Sequence, residues 1–98
     1  MTSSQQITSM TELRAEIDRI DEGLIKLLAQ RAEMIDRAIE IKGANGIPAR
    51  ITERVEEVVT LVRKQAIDKG FDPDFAETLW RQLIDWSIAR EERVLGNS

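Results

Sequence analysis

The chain has no histidine and no cysteine. These absences remove disulfides, thiolate nucleophiles, the commonest zinc ligands and the usual general base near neutral pH. Any chemistry must rest on Arg, Lys, carboxylates and hydroxyls, and no metal or cofactor is expected. No apolar run approaches the roughly 18 residues needed to span a bilayer. The polar opening Met1-Thr2-Ser3-Ser4-Gln5-Gln6 lacks the basic and apolar regions of a signal peptide. No membrane partner and a cytoplasmic location are therefore expected. A basic stripe is also missing, and the net charge of -4 argues against a nucleic-acid partner while allowing a small anion in a local basic pocket. At 98 residues the chain is read as one domain spanning 1–98, near the lower end of the size at which a core stabilises a monomer comfortably.

Strand signals are nearly absent and the 3.6-residue period dominates, which predicts an all-α chain of three helices. Ser9-Met10-Thr11-Glu12 reads as a capping box, with Ser9 and Glu12 satisfying each other's free backbone N–H groups. From Met10 a heptad stripe runs through Leu13, Ile17, Ile20, Leu24, Leu27, Arg31, Met34, Ala38 and Ile41, with Gly43, Gly46 and Pro48 expected to end it. The second helix carries Ile51, Val55, Val58, Val59 and Val62 and closes at Lys69-Gly70. Asp72 and Pro73 supply the N-cap and first position of a third helix, which runs through Phe75, Leu79, Trp80, Leu83, Ile84 and Ile88 to Val94. Residues 1–8 and 95–98 are expected to fray. A first helix of about 33 residues would be roughly 50 Å long. A compact chain of this size has a radius of gyration near ~13 Å, so the stripe would protrude into water unless a second copy covered it. An antiparallel twofold pairing of long helices is the economical solution.

Charges interrupt these apolar tracks at a few positions. Arg31 is the single charged residue in the first stripe; either its stem snorkels to solvent, or an anion meets it, because an unpaired buried charge is costly. Lys42 follows eleven residues later on nearly the same face, roughly 16 Å along the axis. Arg14, about 25 Å from Arg31 along a straight helix, cannot share a pocket with it in one chain, but could reach the pocket of an antiparallel partner. Each of these two cations is also readable as an ordinary solvated charge. Arg54 lies beside Ile51, Val55 and Val58, either as a functional cation or in a rim ion pair with Glu53 or Glu57. On the third helix, Leu79, Leu83, Ser87 and Glu91 follow in steps of four, so that hydroxyl and carboxylate extend an apolar track unless Glu91 is simply an exposed helix end.

Together these residues resemble the active-site set of the helical chorismate mutases and their isochorismate-pyruvate lyase-like relatives. The matching pattern runs from Leu13-Arg14-Ala15-Glu16-Ile17-Asp18 to Glu91, and includes Ile20 and Asp21 and the pairs Gln30-Arg31 and Ile41-Lys42. The resemblance implies an intertwined homodimer of three-helix protomers with two sites for a small dianionic substrate, each site taking Arg14 from the neighbouring subunit. It implies that Arg14 and Arg31 bind the two substrate carboxylates and that Lys42 donates to the ether oxygen. Arg54, Ser87 and Glu91 occupy further functional positions. Bidentate arginines would fix a flexible dianion in a chair-like conformation, and donors at the breaking C–O bond would favour the transition state. A pericyclic rearrangement needs no nucleophile, metal or histidine.

Two positions depart from the mutase pattern. Ile51 and Val55 stand where mutases commonly carry acidic residues that recognise the ring hydroxyl. The stretch Ile47-Pro48-Ala49 with Glu53-Arg54-Val55 is more similar to the lyases, whereas Glu91, at a position usually held by Gln, resembles certain eukaryotic mutases. The leading expectation is a chorismate mutase of the shikimate pathway. Alternatives are a lyase giving salicylate and pyruvate, a mutase of an amino-substituted chorismate, and a non-catalytic helical dimerisation module. The last would have little reason to keep Arg31 in its seam.

Overall fold

The computed structural model describes residues 4–96, and among these it is all-α, without strands. A 3-10 turn at Ser4–Gln6 precedes α1 (Met10–Asn45), α2 (Thr52–Asp68) and α3 (Pro73–Leu95). The expected fraying of 1–8 and 95–98 falls partly on residues 1–3 and 97–98, which lie outside the described residues. The chain divides within α1 into two compact units, Met1–Met34 and Ile35–Ser98.

In the first unit, the Glu12 N–H donates to Ser9 Oγ at 3.2 Å and the Leu13 N–H donates to Ser9 O at 3.0 Å, so the helix starts at the expected cap. The reciprocal half of the capping box differs. The Glu12 carboxylate meets the Thr8 N–H at a long 3.5 Å instead of the Ser9 N–H. Beyond the cap, Ile17, Ile20, Leu24, Ile25, Leu27 and Leu28 are all exposed, and among the described residues none in α1 is buried. α1 is 36 residues long.

The second unit comprises residues 35–45 of α1 with α2 and α3. Gly43 was expected to help end α1, but the helix passes through it. A glycine stops a helix where it takes up a left-handed conformation, and the one that does so here is Gly46, at φ 67°. The Ile47 N–H then donates back to Lys42 O at 2.9 Å, and Asn45 Nδ2 donates to Ile41 O at 2.8 Å. α2 ends on the same logic. Gly70 sits at φ 73°, the Phe71 N–H donates to Ala66 O at 2.8 Å and the Gly70 N–H to Ile67 O at 3.1 Å, a Schellman closure. Lys69 falls one residue past the last turn, as C-cap. Asp72 Oδ1 accepts from the N–H groups of Asp74 and Phe75 at 2.9 and 3.2 Å and starts α3 with Pro73 in its first turn.

α2 and α3 pack through two apolar clusters. Ala49, Val59, Ile84 and Ile88 form one, supported by Val55, Val58 and Leu95, while Val62, Ala66 and Ala76 form the other with Val58 and Trp80. Truncating a buried isoleucine costs roughly 2–5 kcal/mol, so Ile84 and Ile88 anchor the pairing. An ionic chain runs along its outside. Arg81 forks onto Glu56 at 3.0 and 3.1 Å and reaches Glu77 at 2.7 Å, and Arg63 joins Glu77 at 2.9 Å and Asp74 at 3.0 Å. Isolated exposed pairs contribute little, but a network is where they count.

Hydrogen bonds from Arg81 hold the Glu56 and Glu77 carboxyls below the ordinary value of 4.5, against the opposing effect of burial. Because the folded-state values are lowered, the stabilisation is complete above the unfolded value and is lost as pH falls through the folded ones. The gap in thermal midpoint between the natural chain and Arg81→Gln is expected to be widest at neutral pH and to close in acid below 4.5. A gap independent of pH would show that the network contributes nothing to stability.

Candidate active site

Lys42 lies in the last turn of α1 and Glu91 near the end of α3. Gly46 stops α1 one turn beyond Lys42. Lys42 Nζ stands 2.7 Å from Glu91 Oε1, and the side chains are 19% and 5% exposed. The same ammonium donates to Ala49 O in the α1–α2 link at 2.8 Å. Glu91 Oε1 is at ion-pair distance from Lys42 yet has no aligned hydrogen-bond donor among the described residues. Charge therefore holds the pair, while the directed hydrogen bond of Lys42 goes to Ala49. Glu91 is not an exposed helix end, and that alternative is set aside. Along the track in steps of four, Leu79 is exposed, Leu83 half-buried, and Ser87 and Glu91 are buried, so the polar end of the track is its best-shielded part. Ser87 Oγ donates to Leu83 O at 2.8 Å.

The other expected site residues are distributed differently. Arg54 is 61% exposed and pairs with Glu57, the rim arrangement left open from the sequence. In the first unit, Arg14 is exposed and Arg31 half-buried. Two features were not anticipated. One is the Ala49 carbonyl, a backbone group that no side-chain pattern could mark. The other is the fork of Arg90 onto Asp36, with Nε to Oδ1 at 2.6 Å and Nη2 to Oδ2 at 3.0 Å, while its guanidinium lies 5.5 Å from the centre of the Trp86 ring. That hydrogen bond lowers the pKa of Asp36 and raises that of Arg90. Its partners are 54 residues apart, which leaves no local signal.

An ammonium and a carboxyl shielded side by side make a polar spot suited to a substrate oxygen. Ammonium has three donors, so Lys42 can keep Ala49 O and still address a ligand. Among the described residues no helix is long and apolar enough to cross a membrane.

The chain is similar to several known proteins. A T-protein of Enterobacter agglomerans is 33% identical over 85 residues, covering 87% of this chain and 23% of that protein. The isochorismate pyruvate lyase of Pseudomonas aeruginosa is 32% identical over 92 residues, covering 93% and 89%. The chorismate mutase of Methanocaldococcus jannaschii is 29% identical over 89 residues, covering 91% and 90%. The chain thus spans under a quarter of the T-protein but nearly the full length of the other two. The chorismate mutase type II family matches residues 13–92, which takes in α2, most of α1 and α3 and both members of the Lys42–Glu91 pair, and the chain belongs to that family.

Proposed function

We propose that the chain is a chorismate mutase, acting as a homodimer that converts chorismate to prephenate. In this intramolecular rearrangement the ether C–O bond breaks as a C–C bond forms, and nothing is added or lost. The observation that carries the reading is the shielded Lys42–Glu91 pair. In a site closed to water, Lys42 Nζ donates to the ether oxygen as negative charge develops there, and a donor aimed at developing charge lowers the barrier without reorganising. Arg31 and Arg14, the latter from the second copy, hold the two carboxylates, with Arg54 and Ser87 completing the binding set. For Arg54 this requires the side chain to leave Glu57.

A second reading, isochorismate-pyruvate lyase, is favoured by one specific feature. Ile51 and Val55 are apolar and half-buried, and offer no hydrogen bond to a ring hydroxyl. Incubation with purified chorismate and isochorismate in parallel decides between them. Prephenate from chorismate supports the mutase, salicylate with pyruvate from isochorismate selects the lyase, and no product from either removes both.

The dimer is supported by the exposed stripe of α1, since contiguous apolar surface of that extent marks an interface. Sedimentation is expected to give a dimer at micromolar concentration. Arg14→Ala and Arg31→Ala chains are each expected to be inactive, and mixing them should regenerate one intact site per heterodimer. Confirmed heterodimers without activity would reject the shared site.

In the free site Glu91 faces Lys42 as its ion-pair partner; at the ether oxygen it can help only as a hydrogen-bond donor, because an ionised carboxylate accepts hydrogen bonds and repels the developing charge. Glu91→Gln, which keeps a donor and carries no charge, is expected to retain turnover, and Glu91→Ala to lose it. Full turnover in Glu91→Ala would exclude Glu91 from the site.

A further inference from the structure

Gly43 poses a question that helix termination does not answer. Its φ is not positive, unlike those of Gly46, Gly70 and Gly96, and glycine inside a helix is disfavoured relative to alanine. A Cβ built on Gly43 would lie 3.4 Å from Leu95 Cδ2. A methyl fits there at contact distance, and a larger group on that side does not. Leu95 has little freedom to retreat, because it is half-buried and packs on the cluster of Ala49, Val59, Ile84 and Ile88. On α3, Leu95 lies one turn beyond Glu91 and on the same face. On α1, Gly43 adjoins Lys42. The close approach of Gly43 to Leu95 therefore lies beside the ion pair on both helices.

We infer that Gly43 and Leu95 are positioning residues. With no side chain at Gly43, the last turns of α1 settle against Leu95 at the separation that lets Lys42 Nζ reach Glu91 Oε1 and Ala49 O together. The catalytic consequence rests on the role given to Lys42 and Glu91 above, whereas the geometric claim does not. The fork of Arg90 onto Asp36 joins the same two helices, so their register is held independently and Gly43 sets their spacing.

The test is a size series in the full chain: Gly43→Ala and Gly43→Val, each with and without Leu95→Ala, assayed for chorismate turnover. Valine is a better helix former than glycine, so a loss in Gly43→Val is not a helix-propensity effect, and its branched Cβ directs bulk to both sides. Gly43→Ala is expected to keep kcat within about twofold, whereas Gly43→Val should lose about tenfold or more, since misplacement near 1 Å is costly in catalysis. KM should change by less than about threefold, because the lost interaction belongs to the transition state. In the Leu95→Ala background the effect of Gly43→Val should largely vanish. A crystal structure of Gly43→Val should show Lys42 and Glu91 separated beyond about 4 Å, the limit of an ion pair.

Wild-type kcat in Gly43→Val, an undisturbed pair in its crystal structure, or no relief from Leu95→Ala would overturn the positioning role. Failure of the functional reading is distinguishable, since Lys42→Ala would then keep turnover or the natural chain would have none. The Lys42–Glu91 separation in Gly43→Val decides the geometric claim in either case.

Discussion

A carboxylate almost fully withdrawn from water costs several kcal/mol unless a cation meets it, and for Glu91 that cation is Lys42. The position of Glu91 adds to the demand. It sits near the C-terminal end of α3, where the helix dipole is negative and disfavours an anion, whereas Lys42 in the last turn of α1 is at an end that favours it. Removing one partner of such a pair typically costs about 3–5 kcal/mol, chiefly because the other is left buried and alone. The shielding that makes the pair expensive to break would also strengthen the donation proposed for Lys42 toward a substrate oxygen.

Much of the second unit serves to bring these two groups together. Gly46 stops α1 just beyond Lys42, and the link turns so that Ala49 O accepts the Lys42 hydrogen bond. Ala49 is itself buried in the cluster with Val59, Ile84 and Ile88, so the core that joins α2 to α3 also fixes the carbonyl that orients the ammonium. Arg90 and Asp36 hold the same helices at an exposed edge.

Local signals were the legible ones. Ser9, Gly70 and Asp72-Pro73 marked helix boundaries because a cap is made by neighbours in sequence. Glycine was ambiguous, since a left-handed stop such as Gly46 and a close contact such as Gly43 look alike in a string of letters. Periodicity placed Ser87 and Glu91 on the track of Leu79 and Leu83, but not the depth of each. Burial increases along that track because the α1 end and the link lie against its far part, which is long-range information. Arg54 shows the converse, since adjacency to Val55 and Val58 did not carry it inside. Family resemblance singled out Lys42 and Glu91 together, and their contact is a geometric fact that spacing alone did not contain.

The central claim is that Lys42 and Glu91 face the oxygen of the breaking bond. A crystal structure with a stable bicyclic ether dicarboxylate, shaped like the chair transition state, tests it most directly. The account predicts the ether oxygen within hydrogen-bonding distance of Lys42 Nζ and a Glu91 carboxyl oxygen, with Ala49 O still accepting from Lys42. An inhibitor bound with its ether oxygen away from both side chains, and the ion pair intact, would contradict it.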